Sequence, residues 1–383
     1  MKLQSATVLR ILYFLVFCCT ASWLPVLADF CKSRGLSQIQ TSLILSITPI
    51  MIFLVQPIYG MMADKFGYKK TILTASLLSA LSYLGYLMDA GFAWMIVVTI
   101  FMSLFYNTIQ PVLDSLSLQL AAKNPKFSYG TLRIAGAAGW SFTSIITGQV
   151  IDAANISFIF IISSVSMLLV FVFAFLLQSD SKEKIIAEGN SFKNISEVIK
   201  NPSLIFLLAC VFLVSTGATT IWNFYSTYMK ENGASASLVG YGLSLQGLCE
   251  LPLFYFSARI ILRLGLKTTL VITVLATTIR LLLYSIIKNP VAALPVEVLH
   301  GFSWSLFWVV CVEYINKLVN KNWLATGQSL LYAAYYGIGA IAGNYWTGYL
   351  QKTNMKIAEI FLLNAGIVAV VAVSIALFMK KQK

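Results

Sequence analysis

The sequence predicts an all-α membrane protein in which twelve transmembrane helices form two pseudo-symmetric halves of six. Three observations predict it. Hydrophobic residues make up 58% of the 383 residues and charged residues only 11%, whereas a soluble domain carries about 25% charged residues. Mean hydropathy is +0.82. The apolar residues come in long runs, and about 20 such residues cross a bilayer. Finally, short turn sequences repeat at one offset between the two halves.

Cutting the chain at its polar punctuation gives the spans in order: roughly 7–29, 37–62, 71–89, 92–120, 129–152, 156–178, 202–229, 235–262, 268–288, 290–318, 324–350 and 355–379. Backbone groups in hydrocarbon must be satisfied internally, so each span is expected to be a helix. The runs are continuous rather than alternating, which excludes an outer-membrane barrel. The first run is long enough to span and no small-x-small cleavage site follows it, so it is expected to stay as a helix. The longest connection carries Lys182, Glu183, Lys184, Glu188, Lys193, Glu197 and Lys200. It separates an N-terminal bundle, 1–178, from a C-terminal bundle, 202–383, with 179–201 as a cytoplasmic central loop.

The net charge is +13, from 27 Lys and Arg against 14 Asp and Glu. The basic residues sit in short clusters between apolar runs, a pattern of membrane topology rather than of nucleic-acid binding. With both termini cytoplasmic, nineteen of the 27 fall on the cytoplasmic side and six on the other; Arg133 and Arg280 fall within spans. That bias orients the protein with its termini inside. The six cysteines include no CxxC pair, so neither a disulfide framework nor a metal site is expected. No GxxxxGK(S/T) loop is present, so ATP is not expected to drive the protein. No nucleophile–base constellation points to an enzyme.

The turn after span 2 reads Asp64-Lys65-Phe66-Gly67-Tyr68-Lys69, and the turn after span 8 reads Leu262-Arg263-Leu264-Gly265-Leu266-Lys267, 198 residues later. Gly130 and Gly327 open spans 5 and 11 at an offset of 197. Two related six-helix halves are the architecture of a secondary transporter, with its site expected between them. The segment Gly60-Met61-Met62-Ala63-Asp64-Lys65-Phe66-Gly67-Tyr68-Lys69-Lys70 closely resembles the GxxxD(R/K)xGxx(R/K) signature of the major facilitator superfamily. The resemblance makes Gly60, Asp64, Lys65, Gly67 and Lys69 the expected cytoplasmic gate.

A finer resemblance lies in spans 4 and 5. They read Tyr106-Asn107-Thr108-Ile109-Gln110-Pro111-Val112-Leu113-Asp114 and Tyr129-Gly130-Thr131-Leu132-Arg133-Ile134-Ala135-Gly136-Ala137-Ala138-Gly139-Trp140. These are similar to the lactose-permease type of oligosaccharide:proton symporter, with the phenylpropionate-permease-like branch as a competitor of the same size. The resemblance implies that Asp114 and Arg133 are the main sugar ligands and that Trp140 stacks on the sugar ring. Asp114 and Arg133 flank one loop at similar depth, given the 1.5 Å rise per residue. A guanidinium fork and a carboxylate suit vicinal hydroxyls. The same two residues would also serve as a plain helix–helix ion pair. Asn107 and Asn223 are expected to add neutral hydrogen bonds to the solute, although such residues equally join helices.

The C-terminal half carries Glu250, Arg280, Glu297 and His300 within spans. Buried charges cost several kcal/mol and normally pair, so these four are the expected proton-coupling group. Glu297 and His300 are three apart and share a face. The spacing of twenty between Arg280 and His300 matches the lactose-permease type, and Glu250 matches its span-8 glutamate approximately. Three departures stand out. Ser303 occupies the place of the family's proton-carrying glutamate, and Glu297 the place of a lysine. The span-7 aspartate has no counterpart in Trp222-Asn223-Phe224-Tyr225.

The sequence therefore reads as a proton-coupled symporter importing a small polar solute, a sugar or glycoside. A symporter of an aromatic or carboxylic acid, or of a nucleoside, is the alternative. Its expected partners are the solute, the proton and the lipid bilayer, with no other cofactor and no nucleic acid. It is expected to act as a monomer in the cytoplasmic (inner) membrane of a bacterium.

Overall fold

The structure, a computed structural model, describes residues 2–124, 127, 129–177, 201–319 and 324–380. Among the described residues every regular element is helical. Helix α1 runs from Lys2–Trp23 through a 3₁₀ turn, Leu24–Val26, into Leu27–Ser33. It is followed by α2 (Gln38–Phe66), α3 (Tyr68–Gly85), α4 (Gly91–Lys123), α5 (Tyr129–Ala153) and α6 (Phe158–Ala174). The second set comprises α7 (Pro202–Glu231), α8 (Ala236–Leu264), α9 (Leu266–Ile286), α10 (Pro290–Leu318), α11 and α12 (Ile357–Phe378). Helix α11 is built from Leu324–Tyr332, Ala333–Gly339 and Ala340–Lys352. These are the twelve expected spans. Eight of them are each long and apolar enough to cross a membrane by the described residues alone.

The halves repeat one another in backbone detail. Gly35 and Gly233, which follow α1 and α7, have φ of 74° and 86°. Gly67 and Gly265, which precede α3 and α9, have φ of 89° and 78°. Both pairs are 198 residues apart. Left-handed backbone is open to glycine at no steric cost, so each sharp inter-helix turn has kept its glycine in both halves. Helix packing repeats too. Helix α3 packs on α4 and α6, and α9 packs on α10 and α12. Helix α1 meets α5 at Gly139, where a Cβ would collide with the Phe14 carbonyl, and α7 meets α11 at Gly343, where it would collide with the Thr216 carbonyl. Small residues let such backbones touch.

The described residues form two compact units. One joins those within Met1–Ile186 to Met229–Leu248, and the other joins those within Ala187–Tyr228 to Cys249–Lys383. In the first, the Phe160 ring stacks on Tyr86 at 4.2 Å and meets Phe30 edge-on at 4.7 Å. The first half of α8 lies along α5 in the same unit. Gly148 approaches the Ala236 carbonyl and Gly240 the Ser144 carbonyl. The Ser141 hydroxyl donates to Ser244 O at 3.0 Å. Asp152 finishes the contact by accepting from Ala236 N (2.8 Å) and Ser237 N (2.7 Å), so a carboxylate from α5 caps α8.

In the second unit, α10 is not a regular helix. Pro290–Ala293 starts it, with the Asn289 side chain accepting from Val291 N. A 3₁₀ segment, Leu294–Leu299, is followed directly after His300 by a π segment, Gly301–Leu306, before α geometry resumes at Phe307–Leu318. Helix α11 holds a second π segment, Ala333–Gly339. Wide turns leave carbonyls loosely held, and neighbouring helices supply donors. Ser215 Oγ donates to Tyr335 O at 2.6 Å, and Thr277 Oγ1 to Ser303 O at 3.4 Å. Single π turns recur at functional sites because they re-aim side chains.

Candidate solute and proton sites

In the first unit, Asp114 and Arg133 both reach α1. The Tyr13 hydroxyl donates to Asp114 Oδ1 at 2.7 Å. The Arg133 guanidinium carbon lies 5.9 Å from the centre of the Phe17 ring. Tyr13 and Phe17 are one turn apart, so both charged groups address one stripe of α1. Asp114 and Arg133 are half-buried. Asn107 is seven residues before Asp114 and therefore shares its face of α4. Its amide nitrogen is buried with no hydrogen-bond partner among the described residues. Trp140, two turns beyond Arg133, is buried, and its indole N–H donates to Leu243 O at 3.1 Å. The ring plane is thus fixed by α8.

The second unit holds a continuous buried network. Arg280 donates from Nη2 to Glu297 Oε2 (2.5 Å), from Nη1 to His300 Nδ1 (2.7 Å) and from Nε to the Tyr284 hydroxyl (3.1 Å). Tyr284 in turn donates to Glu297 Oε1 at 2.5 Å. His300 Nε2 and Glu250 Oε1 are 3.0 Å apart. A guanidinium cannot accept, so His300 Nδ1 must be the acceptor. His300 is then the neutral tautomer whose Nε2–H donates to Glu250. Side-chain exposure is 0% for Glu297, 2% for His300 and 3% for Arg280, but 17% for Glu250. The network is therefore reached through Glu250. All four expected coupling residues are brought together, and Tyr284 joins them.

Asn223 lies apart from the network. Its amide donates to Asn344 Oδ1 at 2.7 Å, tying α7 to α11. The Thr220 and Thr347 hydroxyls, 2.8 Å apart, continue that tie. Trp222, one residue earlier, meets His300 edge-on at 5.2 Å and Trp304 likewise. Trp304 continues to Trp308 and Tyr335, and Trp308 to Tyr332 and Tyr336. Trp304, Tyr335 and Tyr336 come from the two π segments. These aromatics sit near the middle of their helices rather than at the ends where an interfacial belt belongs.

The side chains of Gly60, Asp64 and Lys65 lie outside the described residues, as does the segment 178–200. Gly67 is the residue before α3. Lys69 Nζ donates to the carbonyls of Phe175 (2.6 Å) and Leu177 (2.7 Å), closing the C-terminal end of α6.

Sequence reasoning passed over Tyr13, Tyr284 and the aromatic cluster. Tyr284 was within reach, because it stands four residues after Arg280 on the same helical face. Tyr13 and Trp222 carry no local signal, since their partners are distant in sequence.

A model of the MFS_1 like family matches residues 6–363. The maltose permease of Geobacillus stearothermophilus is 24% identical over 380 residues, covering 98% of this chain and 95% of that protein. The probable 3-phenylpropionic acid transporter of Escherichia coli (strain K12) is 25% identical over 323 residues, covering 82% of this chain and 83% of that protein. Among solved structures, the nucleoside transporter NupG superposes with a TM-score of 0.85 at 17% identity, covering 98% of this chain and 99% of that one.

Proposed function

Since the chain belongs to the MFS_1 like family of multi-pass membrane transporters, we propose that it is a proton-coupled symporter importing a small polar solute, a sugar or glycoside, by alternating access. As a transporter it moves a small molecule and catalyses no covalent chemistry. The solute would be bound by Asp114, Arg133 and Trp140, with the spare Asn107 amide as a further donor and Asn223 recruited if its tie to Asn344 opens. Similarity to a maltose permease supports a glucoside-sized solute. Proton coupling falls to Glu250, His300, Arg280 and Glu297. Gly60, Asp64, Lys65, Gly67 and Lys69 would form the cytoplasmic gate. In this reading both termini lie on the cytoplasmic side of a bacterial inner membrane, which the basic-residue bias supports, and one chain suffices.

One observation carries the coupling. Arg280 contributes one positive charge, Glu297 and Glu250 two negative ones, and neutral His300 none, leaving the network at −1. A net charge within a bilayer costs several kcal/mol. One proton brings the network to zero, and Glu250 is the member through which it would arrive. Solute and proton then stabilise one occluded state together, which is what couples their movement.

The test is accumulation of labelled maltose and related glycosides in proteoliposomes under an imposed inward proton gradient. Wild type is expected to accumulate solute, Asp114→Asn to bind none, and Glu250→Gln to exchange solute without accumulating it. Accumulation indifferent to the proton gradient would overturn the coupling.

A second reading is favoured by the aromatic cluster beside His300. Stacked Trp and Tyr rings suit a solute that itself carries an aromatic ring, such as a nucleoside or an aromatic acid.

A further inference from the structure

The surroundings of Glu297 have the composition of a carboxylate-binding site. Arg280 grips one oxygen at 2.5 Å and Tyr284 the other at 2.5 Å. An arginine and a phenol converging on two oxygens of one group is the chemistry that recognises an anionic ligand. Beside them, the Tyr225 hydroxyl is fully buried and faces the same carboxylate. Its ring packs against Tyr284 at 5.8 Å. One guanidinium and two phenols are thus turned on a single carboxylate.

We propose that Glu297 is a resident stand-in for a solute carboxylate: it occupies a site built to grip one and so confines the carrier to solutes without a negative charge. The proposal rests on the reading of the Arg280 network as part of the transport path, and it separates the solutes left open above. Neutral glycosides and nucleosides pass, and aromatic acids are refused. Every Arg280 nitrogen is engaged, by Glu297, His300 with Ser303, and Tyr284. A solute anion would have to displace Glu297 and leave it charged and buried. The groups facing Glu297 are Arg280 and Tyr284 from α9, Tyr225 and Tyr228 from α7, Cys249 and Glu250 from α8, and His300 and Ser303 on its own helix. Arg280 is the one fixed positive charge among them.

The test is chemical replacement of the lost carboxylate. Purified wild type and Glu297→Ala are titrated with formate, acetate and 3-phenylpropionate, and with 3-phenylpropanol as the uncharged control. Thermal unfolding and tryptophan fluorescence are read. The expected result is saturable stabilisation of Glu297→Ala by the carboxylates, at least tenfold tighter than in wild type, absent with the alcohol and lost again in Arg280→Met/Glu297→Ala. A variant recovered folded only when acetate is present throughout purification is the same rescue. Glu297→Ala responding no better than wild type overturns the proposal. So does saturable uptake of 3-phenylpropionate by wild type, a readout that needs no variant to fold. These binding readouts run without a proton gradient, so they stand or fall separately from symport.

Discussion

The two intramembrane arginines are held in opposite ways. Arg133 is half-buried on α5 and lies over a phenyl ring. Arg280 is 3% exposed on α9 and donates to a carboxylate, an imidazole and a phenol from its own unit. Their carboxylates differ in the same sense. Asp114 is half-buried with a tyrosine on one oxygen, while Glu297 is wholly enclosed. A half-buried charge on a helix face can engage a visiting solute. A fully enclosed one is committed to the protein's own electrostatics. The two units thus hold their intramembrane arginine and carboxylate differently, half-buried in the first and enclosed in the second.

The difference predicts its largest effect at Arg280. Arg280→Met strands Glu297 in the interior and should cost about 3–5 kcal/mol, read as denaturant unfolding in detergent. Arg133→Met should cost far less, and the double variant Arg280→Met/Glu297→Met should recover most of the loss. Equal losses for the two single variants would break the comparison. Tyr284→Phe removes a hydrogen bond to a charged acceptor and should cost about 1.5–3 kcal/mol. Tyr13→Phe removes the matching bond to half-buried Asp114 and should cost less in stability while raising the KM for solute. Gly139→Ala and Gly343→Ala drive a Cβ into a facing backbone in the two halves. Each should cost about 1–3 kcal/mol by overpacking, whereas Gly366→Ala, with open space at its Cβ, should cost nothing. The smallest effect is at the helix cap. Asp152→Ala should cost about 1 kcal/mol and speed amide exchange at the start of α8.

Much of this was legible in the sequence, for identifiable reasons. Hydropathy marks spans because the bilayer imposes one length and one polarity. The paired turns at Gly67 and Gly265 were visible because only glycine serves at their φ. Buried charges advertise themselves by rarity, which is why Glu250, Arg280, Glu297 and His300 could be grouped before their contacts were known. Glu297, in the place of a lysine, was grouped with the coupling residues without a named partner. In the structure it is the direct partner of Arg280. Neutral groups were not legible in the same way. Asn223 has the same composition whether it meets a solute or Asn344, and only the fold distinguishes them. The 3₁₀ segment of α10 has a local signal in Pro295 at its start, but the π segment that follows His300 has none. The aromatic cluster of α7, α10 and α11 was not legible either, since its rings are distant in sequence.

The most direct measurement is solute-induced proton movement. De-energised, weakly buffered cells lacking related carriers express the protein, and external pH is recorded as glycosides, nucleosides and 3-phenylpropionate are added in turn. The account predicts alkalinisation with a neutral solute, lost in Asp114→Asn and in Glu250→Gln, and none with the acid once passive entry is subtracted with an empty-vector control. Saturable uptake of a neutral solute with no change in external pH would contradict it.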